Sequence, residues 1–270
     1  MANDAYIIRG GLAGRERLRV LSRVMEPLTL ELFARVGVRS GDRCLDAGCG
    51  GGDVTVVLAA LVGDEGSVTG VDLDDTKIAI ASEEAAAAGL TNVKYDTVGV
   101  HDLPYEDDFD VTHARFLLSH LPDPDGAARA LFRATRPGGV VMVEDVDFGG
   151  SFCHPSNHAY DGYCRLYTQA AHVRGCDPHI GRRLPALLAD AGAVDVGIHV
   201  GQPVGFDDDV KLLSPLTLEN IADAVLALGL ATRDELDALV DALYAFAREP
   251  SSILSVPRIV QAWGRVPEPA

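Results

Sequence analysis

The sequence predicts an α/β fold: one seven-stranded, mostly parallel sheet with helices against its faces. Three observations predict it. Seven short apolar runs that read as strands recur between residue 44 and residue 263, most of them separated by stretches with helical spacing. Residues 44–55, Cys-Leu-Asp-Ala-Gly-Cys-Gly-Gly-Gly-Asp-Val-Thr, read as a buried strand that runs into a glycine turn and then a helix. Hydrophobic residues make up 47% of the 270, enough for a substantial core.

The elements follow in order. Before the first strand, 13–24 and 27–36 have helical spacing, with Leu18, Leu21 and Met25 on one face and Leu28, Leu32 and Val36 on another. The glycine-rich link 6–14 ahead of them reads as mobile. After the glycine turn, Asp53 is placed to cap a helix whose Val54, Val57, Leu58 and Leu61 share a face. Strand two, 67–71, ends in Asp72-Leu73-Asp74 and precedes a helix over 75–89. Strand three is 91–98 and strand four is 109–115. A helix ending near 131–136 and the turn Pro137-Gly138-Gly139 lead to strand five, 140–143, which runs out into Glu144-Asp145-Val146-Asp147. Segment 148–180 reads as helix and loop, 181–191 as a helix, and 194–200 as strand six. Two more helices fill 207–249, the second opened by the capping box Thr232-Arg233-Asp234-Glu235. The last strand is 251–263. With no internal repeat or low-complexity linker, the reading is one domain over 1–270.

Charge and cysteine content narrow the function. Asp plus Glu number 40 against 23 Lys plus Arg, a formal charge of −17, and a field of that sign repels phosphate backbones, so no nucleic-acid partner is expected. No charged-then-apolar leader occupies 1–19 and no long apolar span follows, so a cytoplasmic protein without a membrane partner is expected. The five cysteines are scattered with no CxxC pair, and the histidines and cysteines of 153–179 lack ligand spacing, so neither a metal nor a disulfide framework is expected.

The glycine turn carries the functional signal. A glycine turn at a helix N-terminus in an α/β sheet is where nucleotide-like cofactors sit. The dinucleotide fingerprint fails, because Asp53 stands where its last glycine belongs. What is present is Asp46 followed by glycine at every second position, Gly48, Gly50 and Gly52. This resembles the first motif of the class I S-adenosylmethionine (SAM) dependent methyltransferases. Phe109-Asp110 with Leu118-Ser119-His120-Leu121-Pro122-Asp123 resembles that family's Phe-Asp…Leu-x-His-x-Pro-Asp stretch, and Arg136-Pro137-Gly138-Gly139 resembles its turn before the fifth strand. The matches cover roughly residues 40–147.

The resemblance implies a Rossmann-like sheet with its last strand antiparallel, and SAM as cofactor. It implies 39–147 as the SAM-binding core, 1–38 as a helical lid, 148–200 as a substrate-lining segment and the end of the core, 201–250 as a helical insertion that covers the pocket, and 251–270 as the last strand. Asp46 is expected at the methionyl ammonium, with the Gly48 and Gly50 backbone against the ligand. Asp72, about twenty residues past the glycine turn, is expected at the ribose hydroxyls, flanked by Leu73. The family's Gly-Asp-Ala run has Gly99 at its aspartate here, which leaves the adenine to Val100 and His101. Arg115 is expected to reach the cofactor carboxylate.

The acceptor is expected to be a small molecule, methylated on oxygen, with nitrogen and carbon left open. His120 and Asp145 occupy positions used as an acid–base pair in some O-methyltransferases, while His120 also reads as a structural residue of the turn and Asp145 as part of the substrate lining. As a base, His120 predicts a rate that falls in acid. Glu144 and the histidines of 154–179 are further base candidates, and Phe152, Tyr160, Tyr163 and Tyr167 the expected aromatic lining. The overall acidity predicts a neutral or cationic acceptor of secondary metabolism. A homodimer through an exposed helical face stays open. A cofactor-binding protein without turnover, or a divergent NAD-dependent oxidoreductase, are the competing readings.

Overall fold

The structure, a computed structural model, describes residues 11–207 and 209–269, with side chains from residue 14 onward. It begins with helix α1 (Gly11–Val36), unbroken across Pro27, where the sequence spacing predicts two helices. Proline removes one helical hydrogen bond. Here it lies on the exposed side, while Met25, Thr29, Leu32 and Phe33 around it are buried, so packing carries the helix across. Residues 1–10, which hold the tip of the expected lid and the first part of the expected mobile link, fall outside the described residues, while 11–14 of that link are the start of α1.

β1 (Arg43–Ala47), α2 (Asp53–Val62), β2 (Ser67–Asp72), α3 (Asp75–Ala87) and β3 (Val93–Thr97) form the first half of the fold. β4 (Phe109–Arg115), α4 (Pro124–Ala134) and β5 (Thr135–Asp147) follow, then the short β6 (Cys153–His154) and α5 (His158–Val173). α6 (Leu184–Asp190), β7 (Val194–Gly201), β8 (Val204–Gly205), α7 (Leu213–Ala227), α8 (Arg233–Ala247), β9 (Ile253–Ser255) and β10 (Arg258–Arg265) complete it.

The main sheet has seven strands in the order β3-β2-β1-β4-β5-β10-β7. β1 to β5 pair in parallel, and β10 lies antiparallel to both β5 and β7. Strand order reverses between β1 and β4. Their carboxyl ends therefore part at a crevice, the place where open α/β sheets bind ligands. One face of the sheet packs on α4 and α6 through Leu131, Leu184 and Leu188, and the other on α1 and α2 through Leu32, Phe33 and Leu58. A separate helical core joins α5, α7 and α8 through Tyr163, Leu166, Ile221, Val225 and Leu243. Among the described residues no helix is long and apolar enough to cross a membrane.

Several local expectations change. Segment 251–263 is two strands: β9 joins a separate three-stranded sheet with β6 and β8, and only β10 enters the main sheet. Pro257 between them cannot donate to a ladder. Asp53 does not cap α2; Gly52, at φ 81°, precedes the helix, and Asp53 pairs with Arg15 instead. The buried face of α2 is Val54, Thr55, Leu58, Ala59 and Val62, with Leu61 38% exposed. Asp74 caps α3 by accepting from the backbone N–H of Thr76 and Lys77. The capping box of Thr232 and Glu235 opens α8 as expected.

α1 is tied to the rest through Arg15. Its guanidinium reaches Asp53 on α2 at 2.6 Å and Glu84 on α3 at 2.5 Å, and the side chain is 9% exposed. Arg15→Met should lower stability by about 1–3 kcal/mol, the range for charged hydrogen bonds. The check is the midpoint of thermal unfolding, and an unmoved midpoint would show that apolar packing alone holds α1.

Candidate functional site

The site starts where β1 ends. Gly48, Gly50 and Gly52 have φ of 71°, 57° and 81°, a region glycine enters at little cost. At Gly48 a Cβ would come within 2.9 Å of Leu117 Cδ1, so the turn after β1 and the turn after β4 touch only because glycine stands there. The N–H groups of Gly48 and Cys49 donate to the Val71 carbonyl at 2.7 and 2.9 Å. Asp72, at the end of β2, accepts from the N–H of Gly50 at 3.0 Å and of Asp74 at 2.9 Å. A carboxylate offers about four lone-pair directions, so capacity remains for a ligand.

Beneath the turn a buried polar row crosses the sheet. Asp46 Oδ1 lies 3.2 Å from His113 Nδ1, and His113 Nε2 lies 3.1 Å from Glu144 Oε1. Each ring nitrogen faces a carboxylate, so each must donate, and the ring is an imidazolium. Thr55 donates to Asp46 at 2.7 Å, Thr29 of α1 to Glu144 at 2.7 Å, and Gln261 of β10 to Glu144 at 2.8 Å. Burial opposes the charge on His113, but its hydrogen bonds to Asp46 and Glu144 outweigh it, and the ring's pKa is raised above 6.5. Burial also opposes the charge on Glu144, and His113 outweighs it, holding this carboxyl below its ordinary range. Glu144 is therefore an anion in an ion-pair network rather than a free base.

Two cavities meet above this row. The first, about 650 Å³ counted to its mouth, is lined by Asp46, Gly48, Gly50, Asp72, Lys77 and Arg115 among others. The second, about 620 Å³, is walled by Tyr160, Tyr163 and Tyr167 of α5, by Phe148, and by Ser214 and Thr217 of α7. Phe148 stacks on Tyr167 with centroids 4.2 Å apart. Arg17 and Leu21 of α1, with Phe116 and His120 just past β4, line both cavities. Phe116 has φ 53°, which non-glycine residues seldom adopt. The cation of Arg115 lies 5.8 Å from its ring and donates to Thr29 at 3.0 Å.

The structure thus gathers Asp46, Gly48, Gly50, Asp72, Arg115 and His120 around one cavity and leaves the other candidates aside. Leu73 is 56% exposed and outside the cavity lining. Val100 is packed in the core, and His101 Nε2 lies 2.8 Å from the Asp123 carbonyl. Asp145 lines neither cavity: its carboxylate accepts from the N–H of Ser119 at 3.0 Å and of Val146 at 2.8 Å, two residues that do line the second cavity. Burial, the dominant effect, pushes its pKa up to about 6.

His120 is only 7% exposed, and burial first, then the charges of Arg17 and Lys77, push its pKa down to about 3. The expected loss of rate in acid by protonation of this imidazole is corrected accordingly, since the ring stays neutral far below pH 6.5. The histidines between 154 and 179 do not reach either cavity, and Phe152 is 43% exposed, its expected place in the lining taken by Phe148. Among the described residues no cluster of His, Cys, Asp and Glu is placed to hold a metal ion. Arg17, Leu21, Phe116 and His113 were not singled out by the sequence. The one available signal was a histidine inside β4, between the apolar Val111 and Ala114.

The buried row sets a pH dependence. Because the folded pKa of His113 is raised, its contribution is complete below about 6.5 and is lost as pH rises through the raised value. Because that of Glu144 is lowered, its contribution is complete above about 4.5 and is lost as pH falls through the lowered value. His113→Leu would leave two buried carboxylates without their cation, which costs about 3–5 kcal/mol. Thermal unfolding of the variant should be depressed most near pH 6 and the deficit should shrink in alkali. An equal deficit from pH 6 to pH 10 would argue against an imidazolium.

Residues 38–177, just over half of the chain, match the methyltransferase domain family. Over 129 residues the chain is 35% identical to the ubiquinone/menaquinone biosynthesis C-methyltransferase UbiE of Vibrio parahaemolyticus, covering 47% of this chain and 49% of that protein. It is 31% identical over 174 residues to the methyltransferase GfsG of Streptomyces halstedii, covering 64% and 60%. The chain thus spans about half the length of the first of these relatives. In structure it resembles the phosphoethanolamine N-methyltransferase 2 of Haemonchus contortus, solved with phosphomonomethylethanolamine and S-adenosylhomocysteine, at a TM-score of 0.57 and 18% identity over 90% of this chain and 53% of that one. A glycine turn with φ above zero, a carboxylate ending β2 and a cation ending β4 are the groups that an adenosyl sulfonium amino acid asks for, and they line one cavity. The family match and the Rossmann-like sheet agree, and the chain belongs to the class I SAM-dependent methyltransferases.

Proposed function

We infer that this chain transfers the methyl group of SAM to an oxygen of a mostly apolar small molecule. One observation carries the reading: a cavity with cofactor-binding chemistry and a cavity walled by tyrosines meet at a throat of four shared residues. When bound, SAM supplies a methyl on a sulfonium, already electrophilic, so the chain's own part is to place the acceptor in line and exclude water. Leu21 and Phe116 give the throat an apolar side, which serves the second need.

On this reading Asp72 receives the ribose hydroxyls, Asp46 faces the methionyl ammonium and Arg115 its carboxylate. The Gly48 and Gly50 backbone lies against the ligand, and the adenine lies toward Leu73 and the backbone of Val100 and His101. His120 acts from the throat as a neutral imidazole that accepts a hydrogen bond from the acceptor hydroxyl. Asp145 sits one residue behind the acceptor wall. That the UbiE relative is a C-methyltransferase favours carbon as the alternative methyl acceptor.

Two experiments test the reading. S-adenosylhomocysteine should raise the unfolding temperature where NAD does not, and Asp72→Ala should weaken its binding by about 1–3 kcal/mol. An unchanged affinity would remove Asp72 from the ribose. His120→Ala should lower kcat by about 10² through lost orientation of the acceptor, with S-adenosylhomocysteine affinity retained. A near-normal kcat would return His120 to a purely structural place in the turn, and failure to turn over any acceptor while binding the cofactor would favour a non-catalytic SAM-binding protein.

A further inference from the structure

The throat carries a cation that the cofactor reading does not use. Arg17 is 9% exposed and lines both cavities. A guanidinium keeps its charge, and burying one without a counter-anion is costly. Among the described residues Arg17 has no carboxylate partner; its Nε donates to Thr217 Oγ1 at 2.9 Å. The other cations at the site are placed differently. Arg15 is committed to Asp53 and Glu84, Lys77 lies 4.0 Å from Asp74, and Arg115 donates to Thr29 on the cofactor side.

A second observation points the same way. Ser214, on the turn of α7 next to Thr217, is 3% exposed, lines the tyrosine-walled cavity, and its hydroxyl has no hydrogen-bond partner among the described residues. The remaining wall is mostly aromatic or aliphatic, with Ser119, His120, Thr217 and Ser255 its other polar members. A buried cation and a buried unpartnered hydroxyl in an apolar chamber describe a ligand with a flat apolar body and one oxygen-bearing anionic end.

The geometry points to Arg17 as the residue that receives a resonance-stabilised oxyanion of the acceptor, of the carboxylate, phenolate or enolate class. This rests on the proposed function and names its substrate class. The anion has two available sources, the acceptor and the methionyl carboxylate of the cofactor. Thr217, which holds Arg17, lines only the acceptor cavity, and Arg115 lines only the cofactor cavity. That division assigns Arg17 to the acceptor. The overall charge of −17 predicts a neutral or cationic acceptor, but that is a long-range field. Inside a mostly apolar chamber the nearest charge dominates.

The test compares trans-cinnamate with trans-cinnamamide, flat aromatic probes of the same shape that differ in charge. Both are titrated calorimetrically into the full chain, with and without saturating S-adenosylhomocysteine. Cinnamate should bind at least tenfold more tightly than the amide. Arg17→Gln should abolish that preference and Arg17→Lys should keep it, while affinity for S-adenosylhomocysteine changes less than threefold in both. Equal binding of the two probes, or binding of neither, would overturn the assignment. So would an Arg17→Gln protein that keeps the cinnamate preference but loses S-adenosylhomocysteine tenfold, since the anion would then be the cofactor's. Failure of the wild-type chain to bind S-adenosylhomocysteine sinks the methyltransferase reading separately; the probe comparison without cofactor still decides the role of Arg17.

Discussion

The imidazolium of His113 between Asp46 and Glu144 is the constraint on which the site depends. Three ionised groups lie in the middle of a sheet, the histidine and Glu144 with no exposure and Asp46 with 2%. None would be tolerated there alone, because an isolated charge in the interior costs far more than any single contact returns. Together they satisfy one another, and the row fixes the positions of three elements. Asp46 is held at the end of β1 under the glycine turn, Glu144 takes the hydroxyl of Thr29 on α1, and Gln261 of β10 donates to its other oxygen. Gln261 continues the row to His199 of β7 at 2.9 Å. A polar line thus runs from the cofactor cavity to the far strand of the sheet, and fully satisfied networks of this kind specify one arrangement.

α1 depends on the same row and completes the site. Its middle is fastened by Thr29 to Glu144 and by the ring of Phe33, whose centroid lies 5.3 Å from that of His113. Its first turns are fastened by Arg15 to α2 and α3. Arg17, Leu18 and Leu21 hang between these fastenings, over the glycine turn. The helix is therefore a roof attached at both ends. It closes the cofactor cavity and supplies the throat, so the conformation of the glycine turn and the shape of the acceptor chamber are coupled through one helix.

The sequence made the sheet legible because its information is local. Period-two apolar runs, an acid followed by alternate glycines, and a capping box each state their structure within a few residues. Strand four was placed at its observed bounds on that basis. The misses share one cause, which is that tertiary packing decides them. Pro27 reads as a break until Met25 and Phe33 are seen buried on either side. Leu61 shares a helical face with Leu58 on a wheel, yet the surface it would meet is solvent. Asp145 follows the fifth strand as the resemblance implies, but it stands behind Ser119 and Val146, outside both cavity linings. No local pattern could reveal Arg17, because its partners come from chain segments some two hundred residues away.

The low pKa of His120 and the expectation of a general base pull in opposite directions, and the throat reconciles them. An imidazole held down to about 3 by burial and by two nearby cations is a weak proton acceptor. Asp145, pushed up to about 6, is a better one, yet it stands behind Ser119 and Val146. A chamber so arranged is poorly suited to an acceptor that must lose a proton of ordinary hydroxyl acidity. It suits one that arrives ionised, or whose enol or phenol is acidified by the guanidinium of Arg17. The cations that make His120 a poor base also make an oxyanion a stable guest. His120, neutral beside it, then serves to orient the acceptor rather than to deprotonate it.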